Sequence, residues 1–119
     1  MGFLSYGTAV IEYDDRTLAH LQIVIATKLR PRESFMMSWR NAADVGDGRG
    51  AVWVEPSIPL YFNFDGSRPP TIDREWVERL AVMASSSAGL HVVDQTGDKV
   101  LARAFPPSSA REHIARVAR

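Results

Sequence analysis

The amino-acid sequence predicts an α+β fold: a mostly antiparallel sheet with two helices packed on one face, followed by a short C-terminal helix. Two segments have apolar residues at helical spacing, and short runs of alternating apolar and polar residues surround them. Alternation with a period of two is typical of antiparallel strands with one covered face. Apolar residues spaced three and four apart are typical of a helix that covers such a face. The predicted order is ββαβββαβ, with one further strand left open.

The N-terminal part predicts a hairpin and then the first helix. Two β-prone runs, residues 3–6 and 9–13, flank a turn that contains glycine. Asp14 and Asp15 follow, and either carboxylate can cap a helix. Pro31 disfavours helical geometry at the residue before it, so the helix is predicted to end at Arg30. The apolar stripe of this helix consists of Leu18, Leu21, Ile25 and Leu29.

The middle of the chain predicts three strands, in residues 34–41, 50–55 and 60–64. The first and third alternate clearly, and the loop of residues 43–49 between the first two is rich in glycine and aspartate. Two prolines force a bend before the third strand. We expect the three tryptophans to lie in the core, because each falls on an apolar run. They are Trp39, Trp53 and Trp76.

The second helix is predicted to begin after Asp73, which is placed to cap it. Its apolar stripe runs to Ala84, and Gly89 is predicted to take the left-handed conformation that ends a helix. A strand is predicted at residues 90–93, and a last strand at residues 100–105 is left open. The stripe consists of Trp76, Val77, Leu80, Met83 and Ala84.

The proline pair at residues 106–107 predicts a boundary between a single domain, residues 1–105, and a basic extension, residues 106–119. Within the extension, Ser109 and Glu112 form a Ser-x-x-Glu capping box that predicts a short helix. A helix of that length is marginal alone in water. Whether it docks, exchanges between subunits or stays mobile is left open.

Composition indicates one globular domain, with 119 residues of which 45% are apolar and 24% charged. The absence of cysteine excludes disulfide frameworks and thiolate metal sites, and it fits a cytoplasmic location. We find neither a signal-peptide pattern nor an apolar run of membrane-spanning length, so no membrane association is expected.

Formal net charge is zero, but residues 101–119 carry four arginines against one glutamate, a local charge of +3. Arginine also accounts for all basic residues except Lys28 and Lys99, which reflects either GC-rich codon usage or selection for bidentate phosphate contacts. The C-terminal helix is therefore a candidate nucleic-acid contact. Its candidate residues are Arg111, Arg116 and Arg119.

Three further candidate binding residues come from the predicted domain. Arg68 lies in the proline-stiffened loop of residues 64–70, which could present backbone amides and a guanidinium to an anion, although a structural connection explains it too. Arg40 and Tyr61 are predicted on the sheet face opposite the core, where an aromatic ring could stack on an unpaired base.

The sequence carries no recognisable catalytic, cofactor or metal-binding motif. The three histidines, His20, His91 and His113, do not fall at metal-ligand spacing. His20 borders the stripe of the first helix and is expected at the surface, partly exposed. We therefore predict no catalytic residues, no metal and no cofactor.

Three segments together resemble a family of short actinobacterial proteins of unknown function whose members are often labelled "ATP-dependent DNA ligase". They are residues 14–21, residues 33–39 and the stretch Pro56-Ser57-Ile58-Pro59-Leu60 through Pro70. The resemblance covers roughly residues 1–94 and brings no catalytic residues with it. A ligase adenylates the lysine of a Lys-x-Asp-Gly motif, and neither lysine of this chain lies in one.

Three functions stay open. The first is a non-enzymatic binding or accessory module, associated with nucleic acid or another partner. The second is a homo-oligomeric scaffolding protein, because open sheet edges favour association. The third is a small enzyme, which would need a histidine or an aspartate to converge with other groups in a pocket.

Overall fold

The computed structural model describes residues 1–46 and 48–105. The predicted C-terminal helix and the boundary at the proline pair lie outside the described residues. In chain order, the described residues form β1 (Gly2–Tyr6), β2 (Ala9–Tyr13), α1 (Asp15–Leu29), β3 (Phe35–Asn41), a 3₁₀ turn (Ala43–Val45), β4 (Arg49–Val54), β5 (Leu60–Asn63), α2 (Arg74–Ala84), β6 (Leu90–His91) and β7 (Leu101–Phe105).

The strands form one seven-stranded sheet with the order β4-β3-β7-β2-β1-β5, and β6 also pairs with β3. Most pairs are antiparallel, as predicted, but β3 pairs in parallel with both β6 and β7. The parallel pairs arise because the chain returns to β3 after the α2 crossover, whereas a tight hairpin can only produce antiparallel neighbours. The observed order adds β7 to the predicted ββαβββαβ.

Both helices begin at the predicted carboxylates. The side chain of Asp14 accepts the backbone N–H of Thr17 at 3.3 Å, and the side chain of Asp73 accepts that of Glu75 at 3.0 Å. Caps of this kind contribute about 1 kcal/mol each. α1 ends at Leu29 with Arg30 as its C-cap, as the proline predicts.

The two helices pack on each other and share one core with the sheet. The predicted stripe of α1 is buried from Leu18 to Ile25. On β3 the alternation is the predicted one, because Phe35, Met37 and Trp39 are buried in the same core. The residues between them point to the other face of the sheet, which we call the second face.

The β3–β4 register identifies the residues of the second face around the site. Met36 lies opposite Trp53, Ser38 opposite Ala51, and Arg40 opposite Arg49. Paired residues share a face, since side chains alternate along each strand. None of the six belongs to the core.

The prediction that Trp53 lies in the core is wrong, because its side chain is 55% exposed. The inward positions of β4 are Gly50, Val52 and Val54, so the parity of the strand places the tryptophan on the second face. An apolar run without polar residues does not reveal its own parity, whereas pairing with β3 fixes it.

The prediction that His20 is a partly exposed surface residue is also wrong, because the ring is fully buried. Its Nδ1 lies 2.7 Å from the carbonyl of Arg16, and its Nε2 accepts the backbone N–H of Asp73 at 2.8 Å. The ring also stacks on Trp76, with centroids 4.1 Å apart. The histidine therefore joins α1 to the N-cap residue of α2, a contact that exists only because the two helices pack together.

Gly89 has the predicted left-handed conformation, with φ +83°, but it lies beyond the end of α2, whose C-cap is Ser85. A Cβ at this position would lie 2.6 Å from the carbonyl oxygen of Met36. The glycine therefore lets the chain approach β3 closely as it enters β6. This approach brings His91 next to Ser38.

Candidate anion-binding groove

A cavity of about 740 Å³ opens on the second face, where β3, β4, β6 and the turn between β6 and β7 meet. Its floor is made of small side chains, because Ser38 lies opposite Ala51 and Ala88 also lines it. Larger side chains on the neighbouring positions of the strands form the walls. We call this cavity the groove.

The groove is lined by three basic side chains, Arg40, Arg49 and Lys99, and by no carboxylate of the described residues. Arg40 and Arg49 are directly opposed across the β3–β4 pair, and both are exposed. Like charges in that position are destabilising by a few tenths of a kcal/mol. Neither arginine forms an ion pair within the described residues.

A third arginine of the second face, Arg103, has carboxylate partners within the protein. It lies 3.4 Å from a carboxylate oxygen of Glu12 and 3.0 Å from one of Asp44, so its charge is balanced within the fold. Arg103 is therefore a structural arginine, and it differs in this respect from the two arginines that line the groove. Within the described residues, Arg40 and Arg49 have no such partner. Guanidinium groups bind phosphate and carboxylate in bidentate geometry.

A polar pair lies in the middle of the groove. The hydroxyl Oγ of Ser38 and Nδ1 of His91 are 2.6 Å apart, across the parallel β3–β6 pair. Which of the two donates depends on the histidine tautomer. No described acidic residue hydrogen-bonds the histidine, so the pair has no third member to orient it as a catalytic triad would require.

Exposed apolar side chains adjoin the groove at the end away from the arginines. Met36 is 39% exposed and lines the groove, and Trp53, directly opposite on β4, is 55% exposed. A ligand in the groove can therefore contact cations at one end and an aromatic ring at the other.

The structure places the predicted site residues in different parts of the molecule. Arg40 lines the groove, and Tyr61 lies on the same face of the sheet, stacked on Phe3 with centroids 6.2 Å apart. Three strands separate β3 from β5, which corresponds to roughly 19 Å along the sheet, so Tyr61 does not belong to the groove. The other candidates, Arg111, Arg116 and Arg119, fall outside the described residues.

The loop that contains Arg68 binds a carboxylate of the same chain, that of Asp15. The backbone N–H groups of Asp65 and Gly66 donate to the two carboxylate oxygens of Asp15, at 3.0 and 2.7 Å. The bond from Asp65, followed by that from Gly66, holds the pKa of Asp15 below its usual value. Arg68 itself is exposed and makes no hydrogen bond or ion pair with the described residues.

Sequence reasoning missed four groups of the groove: Ser38, Arg49, His91 and Lys99. The pattern gave no signal for Arg49, because it falls inside the predicted loop of residues 43–49, whereas β4 begins at this residue and pairs it with Arg40. No signal existed for His91 or Lys99 either, since the α2 crossover brings them to β3.

Fold and groove together define a small α+β domain with an arginine-lined groove on its sheet. The chain belongs to the family described as a domain of unknown function (DUF7882), whose model matches residues 1–95. That match contains β1 to β6 and hence Arg40, Arg49 and the Ser38–His91 pair. No curated protein and no solved structure matches the chain.

Within residues 1–46 and 48–105, neither helix has the length and apolarity that crossing a membrane requires. In the same residues no three side chains of histidine, aspartate or glutamate gather as metal ligands would.

Proposed function

We propose that this protein is a non-enzymatic binding module for single-stranded nucleic acid, with the groove as its phosphate-binding centre. The observation that carries the proposal is the opposed pair Arg40 and Arg49, which has no counter-ion among the described residues. Opposed like charges cost stability in the free protein, and a bound phosphate removes that cost. The single domain over residues 1–105 and a cytoplasmic location are part of the same proposal.

Exposed aromatic rings favour nucleic acid over a small inorganic anion. Trp53 adjoins the groove, and Tyr61 is a second exposed ring on the same face, on the opposite edge strand β5. Bases stack on exposed aromatic rings in a largely sequence-independent way, at about 1–3 kcal/mol per base. Unpaired bases are available for stacking only in single strands. Phosphate contact and stacking then act on the same face.

The proposal is tested by fluorescence anisotropy with a labelled single-stranded 20-mer, in a series of salt concentrations. The double variant R40Q/R49Q should weaken binding and reduce the slope of log affinity against log salt by about 1.4, since each phosphate contact contributes about 0.7 for single strands. Arg74→Gln is the matched control, because Arg74 is exposed on α2, does not line the groove, and forms no ion pair with the described residues. Equal affinities and slopes for the double variant and the control would refute a role of the groove.

The predicted basic extension is a separate contributor in this proposal. Replacing Arg111, Arg116 and Arg119 together by glutamine in the full chain should reduce the salt slope by about 2 if all three contact phosphates. The effect should add to that of R40Q/R49Q if the two sets of arginines contact different phosphates. An unchanged slope would assign nucleic-acid binding to the groove alone.

The ligase label of the resembling family does not become a catalytic proposal. Lys28 donates to Glu33 at 2.9 Å and its side chain is only 13% exposed, while Lys99 lines the groove. Neither lysine belongs to an adenylation motif. Incubation with radiolabelled ATP and Mg²⁺ should leave no covalent label, and a labelled lysine would establish adenylation instead.

A homo-oligomeric function is the alternative that one observation favours. β4 is an edge strand with no described strand on its outer side, and Trp53 is exposed on it. The hydroxyl of Tyr6 already donates to the carbonyl of Trp53 and accepts the N–H of Glu55, so the open part of this edge lies before Trp53. Unpaired edges associate unless a charge or a proline blocks them. Light scattering that shows a dimer, abolished by a lysine at position 53, would support this alternative. A monomer at high concentration would exclude it.

A further inference from the structure

We propose that the groove recognises ribose, so that the protein prefers single-stranded RNA over DNA through the Ser38–His91 pair. The inference rests on the proposed function and adds the class of sugar to it. It is carried by the position of this polar pair between the apolar and the cationic ends of the groove.

Three levels follow one another along β3 and β4. Met36 and Trp53 form an apolar level, Ser38 and Ala51 a small polar one, and Arg40 and Arg49 a cationic one. Each level lies two residues from the next, which corresponds to about 7 Å along a strand. In a nucleotide the sugar lies between the base and the phosphate. With the base on Trp53 and the phosphate on the arginines, the sugar is held above Ser38.

The middle level has both room and hydrogen-bonding groups for a hydroxyl. Ala51 offers only a methyl group opposite Ser38, which leaves space above the serine. His91 flanks Ser38 on the other side, and their 2.6 Å contact uses one hydrogen-bonding capacity of each group. The serine oxygen keeps further hydrogen-bonding positions, and Nε2 of the histidine also remains available.

A 2′-hydroxyl is both donor and acceptor, so it can complete this pair whichever tautomer the histidine has. A deoxyribose offers only a C–H at the same place. The pair would then keep its solvent contacts, and the sugar would gain no hydrogen bond. We therefore expect discrimination of the size that one neutral hydrogen bond provides, roughly 2- to 10-fold.

The test compares labelled 12-mers of oligouridylate and oligodeoxyuridylate, which differ only in the 2′-hydroxyl, by fluorescence anisotropy at low salt. The wild-type protein should bind the ribo-oligomer about 2- to 10-fold more tightly. Ser38→Ala should reduce this ratio to about 1 by weakening only the ribo-oligomer. Ser5→Ala is the matched control, because Ser5 lies on the second face opposite Val10 and Tyr61, outside the groove.

Each outcome decides a different claim. A ratio near 1 in the wild-type protein, with both oligomers bound and R40Q/R49Q weakening both, overturns the ribose inference and leaves the proposed function intact. A ratio unchanged by Ser38→Ala, and equally unchanged by His91→Ala, overturns it as well. If neither oligomer binds at low salt, the proposed function fails and the ribose inference fails with it. Circular dichroism of each variant establishes that it is folded.

Discussion

Replacing His20 by leucine should remove a large part of the stability of the fold, although the size and the apolar surroundings of the position are preserved. The wild-type Nε2 accepts the backbone N–H of Asp73, the residue that caps α2. Leucine leaves that N–H without a partner, at a cost of about 1–3 kcal/mol. Losing the stack on Trp76 adds about 0.5–1.5 kcal/mol.

Together these terms predict a loss of about 3 kcal/mol in the free energy of unfolding, measured by urea denaturation. With a slope near 2 kcal/mol per molar urea, the midpoint should fall by about 1.5 M. His20→Gln should lose only about 1 kcal/mol, because its amide oxygen can accept the N–H of Asp73 in place of Nε2.

The matched control is the same substitution at an exposed histidine. His91→Leu lies on the exposed second face and removes only the hydrogen bond to Ser38, so the midpoint should fall by about 0.5 M. If His20→Leu were as stable as His91→Leu, the two hydrogen bonds of the buried ring would not hold α1 to α2. If His20→Gln were as unstable as His20→Leu, packing rather than hydrogen bonding would explain the loss.

Three further predictions concern single positions of the fold. Gly50→Ala should lower the free energy of unfolding by about 1–3 kcal/mol in calorimetry, because the new Cβ would lie 2.5 Å from Cζ2 of Trp39; an unchanged melting temperature would contradict this. Tyr13→Phe should leave stability unchanged or raise it by up to about 1 kcal/mol, since the fully buried hydroxyl has no partner in the described structure, and a loss measured by urea denaturation would show that it has one. The pKa of Asp15 is lowered in the folded state, owing first to the hydrogen bond from the backbone N–H of residue 65. The ionised carboxylate therefore stabilises the fold at pH values above its unfolded pKa, and this stabilisation is lost as the pH falls below about 4. Asp15→Asn should therefore show a weaker loss of stability in acid urea titrations, and an identical pH profile would rule out this contribution.

Particular elements show how much of the fold the sequence predicted. Periodicity predicted both helices and six of the seven strands, because each element must cover or be covered by the core. Pro31 predicted that α1 ends at Arg30, and the carboxylate of Asp73 predicted the start of α2. The structure confirms both, with Arg30 as the C-cap of α1 and Asp73 as the N-cap of α2. In the groove, parity along β3 predicted that Arg40 would leave the core. Outside the groove, alternation along β5 made the same prediction for Tyr61.

The tertiary structure decided the rest. The parity of β4, and with it the exposure of Trp53, depends on pairing with β3, since a run of apolar residues has no preferred face of its own. The burial of His20 depends on the approach of α2 to α1. The groove joins residues more than 50 positions apart, because the α2 crossover returns the chain beside β3 and places His91 against Ser38.

The sequence by itself therefore determined which residues form helices and strands and where most of them end, because these properties depend on neighbours a few positions away. Only the tertiary structure decided which side chains meet on the second face. Contacts between distant segments follow from strand order and register, and these are selected by the packing of the whole core.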